Sequence, residues 1–422
     1  MRVAVIGAGA AGLVAAKYAA SLPRLQRLVV FESAYQVGGT WIYNERTGRD
    51  EFGLPIHSSM YRDMRTNLPK EVMAYSDFPF PDGPDSFVSH RDVLQYLNDY
   101  AGHFDLCKYI QFGERVIKVE RTSGSEWMLT SQQLESNSKQ QHLFDVLFVC
   151  NGHYFKPSIP EIDGLRKFAG SVLHSHDYRR SEPFIGQTVA CLGAGPSGTD
   201  IAIELSRVCP LVYLCHNRPL MKTILPTNVV QKSGFERFSE NSVQLVDGQS
   251  LHIDAVIFCT GYKFDFPFFD FDALPLQVCE NRVTPLYQHS VHIEHPLSLF
   301  FIGLNITVLP FPNFECQIRF AMSILTGGMQ LPSKEAMYEW QRTDFERRTG
   351  ELGLQPKYAH FLGKMQWQYY RELCRLGKFE NPISPVVESL YDAVHEHRHR
   401  DLANYKKSSW SIVGDTFERR RD

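Results

Sequence analysis

The stretch of sequence that decides the fold is Arg2-Val3-Ala4-Val5-Ile6-Gly7-Ala8-Gly9-Ala10-Ala11-Gly12. A short apolar run that leads into glycines is typical of a buried parallel strand, so we predict a strand over Val3–Ile6 and a helix over Leu13–Ala20. In the turn between them, the first glycine allows a tight bend, the second lets a pyrophosphate approach the backbone, and the third lets the helix pack on the strand. Amide groups at the helix N-terminus then bind the phosphate charge. Gly7, Gly9 and Gly12 therefore predict a dinucleotide site.

An acidic residue in the expected place strengthens this prediction. Glu32 ends a second predicted strand, Leu28–Glu32, and lies 20 residues after Gly12. There a carboxylate accepts hydrogen bonds from an adenosine ribose, and it would repel a 2′-phosphate. The alternative for Glu32 is a solvated charge at the tip of a strand. The first site is therefore expected to bind a dinucleotide with a free ribose.

A second glycine-rich turn, Gly193-Ala194-Gly195-Pro196-Ser197-Gly198, also lies between a predicted strand and a predicted helix. We expect Gly193, Gly195, Ser197 and Gly198 to contact a second dinucleotide. Arg218 lies 20 residues after Gly198, with no acid nearby. Its guanidinium can pair with a 2′-phosphate, which favours NADP at this site, whereas the alternative is a surface arginine before Pro219.

Two dinucleotide sites in one chain predict electron transfer between the two dinucleotides. A disulfide oxidoreductase would also have two sites, but it would normally need a C-x-x-C redox pair. The chain has nine cysteines, and none of them form such a pair. Scattered cysteines indicate reduced thiols, not disulfides or a zinc site. Oxygen is therefore the expected electron acceptor, and no bound metal is expected.

Composition restricts the remaining classes of function. The chain has 422 residues, enough for two domains, and its formal net charge of -3 gives no reason to expect binding to nucleic acid. The N-terminus shows no signal peptide, and the most apolar later stretch, 296–312, is too short for a membrane span. We expect a soluble, cytoplasmic protein. The sequence leaves its oligomeric state open, a homodimer included.

Several motifs resemble those of the flavin-containing monooxygenases, which are class B flavoprotein monooxygenases. The run Phe168-Ala169-Gly170-Ser171-Val172-Leu173-His174-Ser175-His176-Asp177-Tyr178-Arg179 matches the family fingerprint F-x-G-x-x-x-H-x-x-x-Y-K, with arginine in place of the final lysine. Further matches are Gly38-Gly39-Thr40-Trp41, Asn67-Leu68-Pro69-Lys70-Glu71, Cys259-Thr260-Gly261-Tyr262 and Leu299-Phe300-Phe301-Ile302-Gly303. Length and the lack of a hydrophobic tail resemble the shorter insect and microbial members.

The resemblance implies an α/β fold with two Rossmann-type domains. We expect an FAD domain formed by residues 1–157 and 276–422, an NADPH domain of residues 158–275 inserted between them, and a helical C-terminal segment that packs on the FAD domain.

A capping box formed by Ser89 and Asp92 predicts that a helix begins there. The polar run Ser131–Gln141 predicts a surface hairpin loop.

The activity implied by the resemblance is that of an N,N-dimethylaniline-type monooxygenase. NADPH reduces FAD, oxygen forms a hydroperoxide at the flavin C4a position, and a nitrogen or sulfur atom of a small molecule takes up one oxygen atom. One alternative is a Baeyer–Villiger oxygenase, against which Tyr178 argues because those relatives usually carry tryptophan there. Another is a degenerate NADPH oxidase or dinucleotide-binding sensor, against which the intact glycines argue. The sequence does not identify the substrate.

Site residues are carried over from the same motifs. Asn67 is the expected catalytic residue beside the flavin, and its alternative is a turn asparagine before Leu68-Pro69. The other positions expected to contact the cofactors are Gly39, Thr40, Trp41, Thr260, Gly261 and Gln317. Trp41 could equally pack in the core. His174 is expected to organise the linker between the domains and not to take part in catalysis.

Overall fold

The computed structural model describes residues 1–420. Its helices are α1 Ala10–Ala20, α2 Lys70–Met73, α3 His90–His103, α4 Pro196–Leu205, α5 Pro310–Leu325, α6 Lys334–Glu346, α7 Gln366–Gly377 and α8 Pro385–Arg400. Its strands are β1 Arg2–Ile6, β2 Arg27–Glu32, β3 Ile110–Phe112, β4 Glu114–Arg121, β5 Trp127–Gln133, β6 Lys139–Phe144, β7 Val146–Val149, β8 Ser171–His174, β9 Thr188–Leu192, β10 Leu211–Cys215, β11 Val229–Lys232, β12 Phe235–Phe238, β13 Ser242–Leu245, β14 Ser250–His252, β15 Ala255–Phe258, β16 Gln277–Cys279, β17 Arg282–Thr284, β18 Leu286–Tyr287, β19 Val291–His292, β20 Leu299–Phe301, β21 Ser409–Val413 and β22 Thr416–Arg420.

The first sheet is built from both ends of the chain. Its seven strands follow the order β18-β19-β20-β7-β1-β2-β3. The strands from β20 to β3 are parallel, and β18 and β19 extend the edge in antiparallel pairing. Strand β1 is nearly all buried, as its apolar sequence predicts, and α1 packs on it.

The second sheet is formed between the two parts of the first. Its five strands, in the order β11-β10-β9-β15-β8, are all parallel and lie between Ser171 and Phe258. A small antiparallel sheet, β12-β13-β14, lies within the same stretch of chain. The predicted fold class, two Rossmann-type units with one inserted into the other, is therefore confirmed. The boundaries at 157 and 275 stay predictions.

The two chain crossings between these units run side by side. Ser158 N donates to Gly261 O at 2.9 Å, and Lys263 N donates to Lys156 O at 2.9 Å. Lys156 Nζ also lies 2.7 Å from Asp265 Oδ1. The outgoing and returning segments are thus hydrogen-bonded to each other as a short two-stranded connection.

The fingerprint run lies at the boundary between the units. Its first part is the edge strand β8, and its last residue, Arg179, is buried. The Arg179 guanidinium donates to backbone carbonyls on both sides, namely those of Asn44, Arg46, Ser58, His176 and Tyr178. His174 Nδ1 accepts from His176 N at 3.0 Å, so His174 fixes the backbone after β8, in keeping with the structural role expected for it.

The C-terminal part packs on the first unit. Buried side chains of α7 and α8 share one apolar core with β1 and α1. The described part of the C-terminal segment is not wholly helical, however, because β21 and β22 form an antiparallel hairpin after α8. The predicted loop at Ser131–Gln141 is likewise shorter than expected, since β5 and β6 pair up to Gln132 and Lys139. Across residues 1–420, no helix combines the length and the apolar character needed to cross a bilayer.

The contact between Tyr178 and Glu204 leads to a prediction about pH. Tyr178 Oη donates to Glu204 Oε1 at 2.8 Å, and burial raises the pKa of Glu204 to about 7, with the tyrosine bond opposing the rise. A carboxyl with a raised pKa in the folded state stabilises the fold at low pH, and that contribution is lost as pH rises through about 7. We therefore expect the Tm of Glu204→Gln to rise relative to wild type as pH increases from about 5 to about 8.

Thermal unfolding of both proteins across that pH range measures this effect. Glu161→Gln is the matched control, because Glu161 is exposed. The Tm of this control should change with pH in the same way as the Tm of wild type. If the Tm of Glu204→Gln also changed with pH as the Tm of wild type does, Glu204 would not have a raised pKa.

Candidate functional site

The two glycine-rich turns have nearly the same backbone geometry. Gly7 has a φ of 104° and Gly193 a φ of 116°, values that side chains rarely allow. A Cβ on Gly7 would lie 2.6 Å from the carbonyl oxygen of Cys150, and one on Gly193 would lie 2.3 Å from that of Cys259. Each turn therefore passes against the end of the neighbouring parallel strand, and no other residue type fits there.

The third glycine of each motif brings the helix onto its own turn. A Cβ on Gly12 would lie 1.8 Å from the Gly7 carbonyl oxygen, and one on Gly198 would lie 1.8 Å from that of Gly193. These distances are far below any van der Waals contact. The packing role that the sequence predicts for the third glycine is thus the role the structure gives it.

The middle glycines cap the two helices. Gly9 and Gly195 are the N-caps of α1 and α4, with φ values of -75° and -79°, and neither cap has a side-chain hydrogen bond. No heavy atom lies within 4 Å of a Cβ built on Gly195, and the one on Gly9 would lie 3.4 Å from Gly39 Cα. The free amides at both helix N-termini fit a pyrophosphate, with open space at Gly195 and the Gly38–Gly39 backbone beside Gly9.

Glu32 lies directly against the first turn. Its carboxylate accepts from Ala8 N at 2.6 Å and from Ala34 N at 2.8 Å. Burial raises the pKa of Glu32, and the two amide bonds oppose that rise. Oε1 also accepts from the Ser33 hydroxyl at 3.4 Å, whereas in the described part of the chain Oε2 accepts from Ala8 N alone and can take a second hydrogen bond, such as one from a ribose.

The second turn has no acid in the equivalent place. Gly7 N donates to Phe31 O, and Gly193 N donates to Cys215 O, both at 2.8 Å. By this register His216 corresponds to Glu32. Arg218 follows two residues later, is exposed, and lies with Nη2 3.5 Å from Tyr358 Oη. The absence of an acid and the presence of an arginine near this strand end fit a dinucleotide that carries a 2′-phosphate, which supports the predicted role of Arg218.

The segment Gly38–Trp41 connects the first turn to the boundary between the units. Gly38 N donates to Ala8 O at 3.1 Å, and Gly39–Trp41 form a short 3-10 helix. The Thr40 hydroxyl oxygen is buried without a hydrogen-bond partner in the described part of the chain. An unpaired buried hydroxyl beside the turn fits a polar ligand. Trp41 is half-buried and packs against the cores of both units, with its ring centroid 6.4 Å from that of Phe311.

Asn67 is held by a residue that the sequence analysis missed. Asn67 is half-buried and precedes α2, and its Oδ1 accepts from Tyr405 Oη at 3.2 Å. Tyr405 is buried and comes from the stretch between α8 and β21. No motif marks this tyrosine, and the two residues are 338 positions apart. The side-chain Nδ2 of Asn67 has no hydrogen-bond partner among residues 1–420.

Thr260 and Gly261 lie in the paired crossings, whereas Gln317 lies elsewhere. The Thr260 hydroxyl donates to Ser158 O, and Gly261 has a φ of 84°. Gln317 is fully buried in α5, and its amide accepts from Gly303 N at 2.9 Å and donates to Asn305 Oδ1 at 2.7 Å. Its side chain therefore orders the backbone that follows β20. A direct contact of Gln317 with a cofactor stays a prediction.

Aromatic and histidine side chains that the sequence analysis did not select lie near the crossings. The His57 ring stacks on Phe155 with centroids 5.1 Å apart, and Tyr154 meets Tyr262 at 5.4 Å. Burial lowers the pKa of His153 to about 4, so this imidazole is neutral at pH 7. The sequence gives a signal for two of these residues. His153 and Tyr154 follow the carboxyl end of β7, and ligands of parallel sheets bind at the carboxyl ends of strands.

Comparison with known proteins identifies the family. The model of the flavin-binding monooxygenase-like family matches residues 1–219 and 214–366. The chain belongs to this family. Flavin-containing monooxygenase FMO GS-OX-like 3 of Arabidopsis thaliana is 36% identical over 440 residues, which cover 99% of this chain and 96% of the relative. The chain is therefore a flavin-dependent monooxygenase, and FAD and NADPH are the cofactors of the family.

Solved structures agree over almost the whole chain. S-allyl-L-cysteine S-oxygenase from Allium sativum is 31% identical and superposes with a TM-score of 0.88, covering 96% of this chain and 94% of its own. Tmm from a Pelagibacter strain is 27% identical with a TM-score of 0.87, covering 99% and 96%. A cyclohexanone monooxygenase, 14% identical with a TM-score of 0.62 over 89% of this chain and 98% of its own, shares the fold.

The open space at Gly195 leads to a testable prediction. A methyl group on Gly195 meets no protein atom, but it occupies the place where the backbone would approach a pyrophosphate. We expect Gly195→Ala to lower the Tm slightly, because alanine is a poorer N-cap than glycine, and to raise the Kd for NADP+ by about tenfold, a change of about 1.4 kcal/mol in binding. Titration calorimetry measures the Kd.

Gly102→Ala is the control, since its methyl group also meets nothing within 4 Å but lies in α3. Unchanged NADP+ affinity in Gly195→Ala would show that the second turn does not bind the pyrophosphate.

Arg218 gives a second prediction. Arg218→Ala should raise the KM for NADPH about tenfold more than the KM for NADH, because a charge-assisted hydrogen bond to the 2′-phosphate is lost. Initial rates with each nucleotide measure both constants. Arg237→Ala changes an exposed arginine of β12 and should leave the ratio unchanged. Equal effects of Arg218→Ala on both nucleotides would mean that another residue recognises the 2′-phosphate.

Proposed function

We propose that the chain is an NADPH- and oxygen-dependent monooxygenase that transfers one oxygen atom to the sulfur of a small thioether. The observation that carries the proposal is the pair of matched glycine turns, each with free helix amides, one followed by Glu32 and the other by Arg218. Such a pair suits one dinucleotide with a free ribose and one with a 2′-phosphate. The bound flavin, once reduced, supplies the activation of oxygen.

The choice of sulfur rests on a relative. S-allyl-L-cysteine S-oxygenase, at 31% identity, covers nearly all of this chain. In the proposed reaction, thioether, O2, NADPH and one proton give sulfoxide, water and NADP+. One oxygen atom forms the new bond to sulfur, the other leaves as water, and NADPH supplies the two electrons. A tertiary amine such as N,N-dimethylaniline offers a comparable lone pair and is the nitrogen counterpart in the test.

The residues of this chain position and enclose the reaction. The first turn and Glu32 hold FAD, the second turn with Ser197 and Arg218 holds NADPH, and Trp41 closes the boundary between the two cores. The Asn67 amide is oriented by Tyr405 and offers its Nδ2 hydrogens to the bound nucleotide or to oxygen. Neutral His153 adds a polar group without adding charge.

Product analysis tests the proposed reaction. The purified, FAD-loaded protein is incubated with NADPH, 18O2 and one substrate at a time: S-allyl-L-cysteine, N,N-dimethylaniline or cyclohexanone. We expect labelled sulfoxide as the main product. Lactone from the ketone would identify a Baeyer–Villiger oxygenase. Hydrogen peroxide equal to the NADPH consumed, with no labelled product, would identify an NADPH oxidase.

The role of Asn67 gives a further prediction. Asn67→Asp keeps an oxygen that can accept from Tyr405 but replaces the Nδ2 donors with a negative charge. We expect FAD to stay bound and sulfoxide formation to fall by about a hundredfold or more, the usual effect of losing one donor at a reacting oxygen, while peroxide release continues. Asn241→Asp, in the exposed turn after β12, is the control. Normal sulfoxide formation in Asn67→Asp would rule out this role.

A further inference from the structure

A short segment near the C-terminus connects the two units. We call residues 401–408, between α8 and β21, the C-terminal strap. Ala403 N donates to Ile224 O at 3.2 Å, and Leu402 N donates to the Thr223 hydroxyl at 3.0 Å. These partners lie between β10 and β11, in the inserted unit. The strap is thus anchored to the inserted unit by backbone groups.

The middle of the strap reaches Asn67. Tyr405 is 2% exposed, its ring packs edge-on against Phe87 with centroids 5.3 Å apart, and its hydroxyl donates to Asn67 Oδ1 at 3.2 Å. This bond holds the Asn67 side chain with its amide oxygen towards the strap. In that position the Nδ2 hydrogens remain available to a ligand.

The next residue ties the strap to the helix of the second glycine turn. Lys406 Nζ lies 2.7 Å from both carboxylate oxygens of Asp200 in α4 and donates to Arg65 O at 3.1 Å. Both charged side chains are largely buried, with 18% and 16% exposed. Tyr61 Oη also donates to Asp200 at 2.6 Å. One buried ammonium group therefore binds α4 and the backbone two residues before Asn67.

We propose that Tyr405 is a positioning residue for Asn67, and that Lys406 makes this positioning depend on the place of α4. The proposal rests on the role of Asn67 in the proposed function. The strap contacts α4, the Arg65–Asn67 stretch and the inserted unit together, so the Asn67 amide is correctly oriented when the NADPH-binding helix is in place. The sequence neighbours Tyr405 and Lys406 thus couple the second glycine turn to the reaction site.

A double-mutant cycle on NADP+ affinity tests the coupling. Tyr405→Phe removes one hydroxyl and keeps the ring against Phe87. We expect it to raise the Kd for NADP+ about threefold to tenfold, the loss of one hydrogen bond. In an Asn67→Ala background the same change should have no further effect, because residues that act through one another are not additive. Additive effects would overturn the proposal.

Turnover gives a second readout that a purely structural role would not change. In Tyr405→Phe we expect the ratio of sulfoxide to peroxide to fall about fivefold with an unchanged KM for the thioether, since one hydrogen bond that orients the amide is lost. Lys406→Met should change the ratio in the same direction. Tyr338→Phe is the matched control. Tyr338 lies on α6, away from this site, and its hydroxyl donates to Glu294 at 2.6 Å. A ratio equal to wild type in Tyr405→Phe would contradict the proposal.

Hydrogen–deuterium exchange tests the strap without any cofactor. Thr66 N donates to Val88 O at 2.8 Å, and Lys70 N donates to Ser86 O at 2.7 Å, so the backbone around Asn67 is protected in the folded chain. Peptides covering residues 64–70 should exchange faster in Tyr405→Phe and in Lys406→Met than in wild type and in Tyr338→Phe. Equal exchange in all four proteins would overturn the proposal.

The outcomes separate the two proposals. If wild type forms no sulfoxide while the affinity cycle and the exchange rates show the coupling, the strap positions Asn67 and the thioether assignment fails. If wild type forms sulfoxide while the affinity effects add and exchange is unchanged, the thioether assignment stands and the strap has no positioning role.

Discussion

The rest of the structure depends on the close contact between each dinucleotide-binding helix and the turn before it. Gly12 and Gly198 each pack on the carbonyl of the first glycine of their own turn, at a distance that excludes any side chain. Interiors are packed too tightly to absorb an added methyl group against backbone. This contact places the free amides of α1 and α4 at the ends of their sheets. At the first of these helix ends, Glu32 accepts from Ala8 N, and Gly38, two residues before Thr40, donates to Ala8 O.

The two units are held together by polar contacts as well as by apolar packing. Two neighbouring crossings join the units covalently, Arg179 links backbone carbonyls, and Lys406 pairs with Asp200. A largely buried ion pair contributes little net stability, because desolvation of the two charges offsets their attraction. Burial indeed lowers the pKa of Lys406, although Asp200 opposes this. The ion pair of Lys406 and Asp200 therefore acts mainly by fixing which part of α4 faces the strap.

Local patterns were predictable and long-range contacts were not. The capping box of Ser89 and Asp92 is present as expected, and β1 and β2 lie within one residue of their predicted bounds, because caps and buried strands are set by neighbouring residues. The hairpin β21-β22 was not predicted, because three of the five residues of β22 are charged and give no apolar strand pattern. The bond between Tyr405 and Asn67 joins residues 338 positions apart, with no motif at the tyrosine. Such contacts depend on the complete fold, so the sequence predicts Asn67 but not the group that orients it.

Arg179, which replaces the final lysine of the family fingerprint, has a structural role in this chain. The Arg179 guanidinium donates to the carbonyls of Asn44 and Arg46 in the first unit. It also donates to the carbonyl of His176, which follows β8. An ammonium has three hydrogens to donate, whereas a guanidinium has five in a fixed plane. The arginine therefore binds more of the boundary than lysine could. The fingerprint contributes to the chemistry by fixing where the inserted unit lies, and so where α4 meets the strap that orients Asn67.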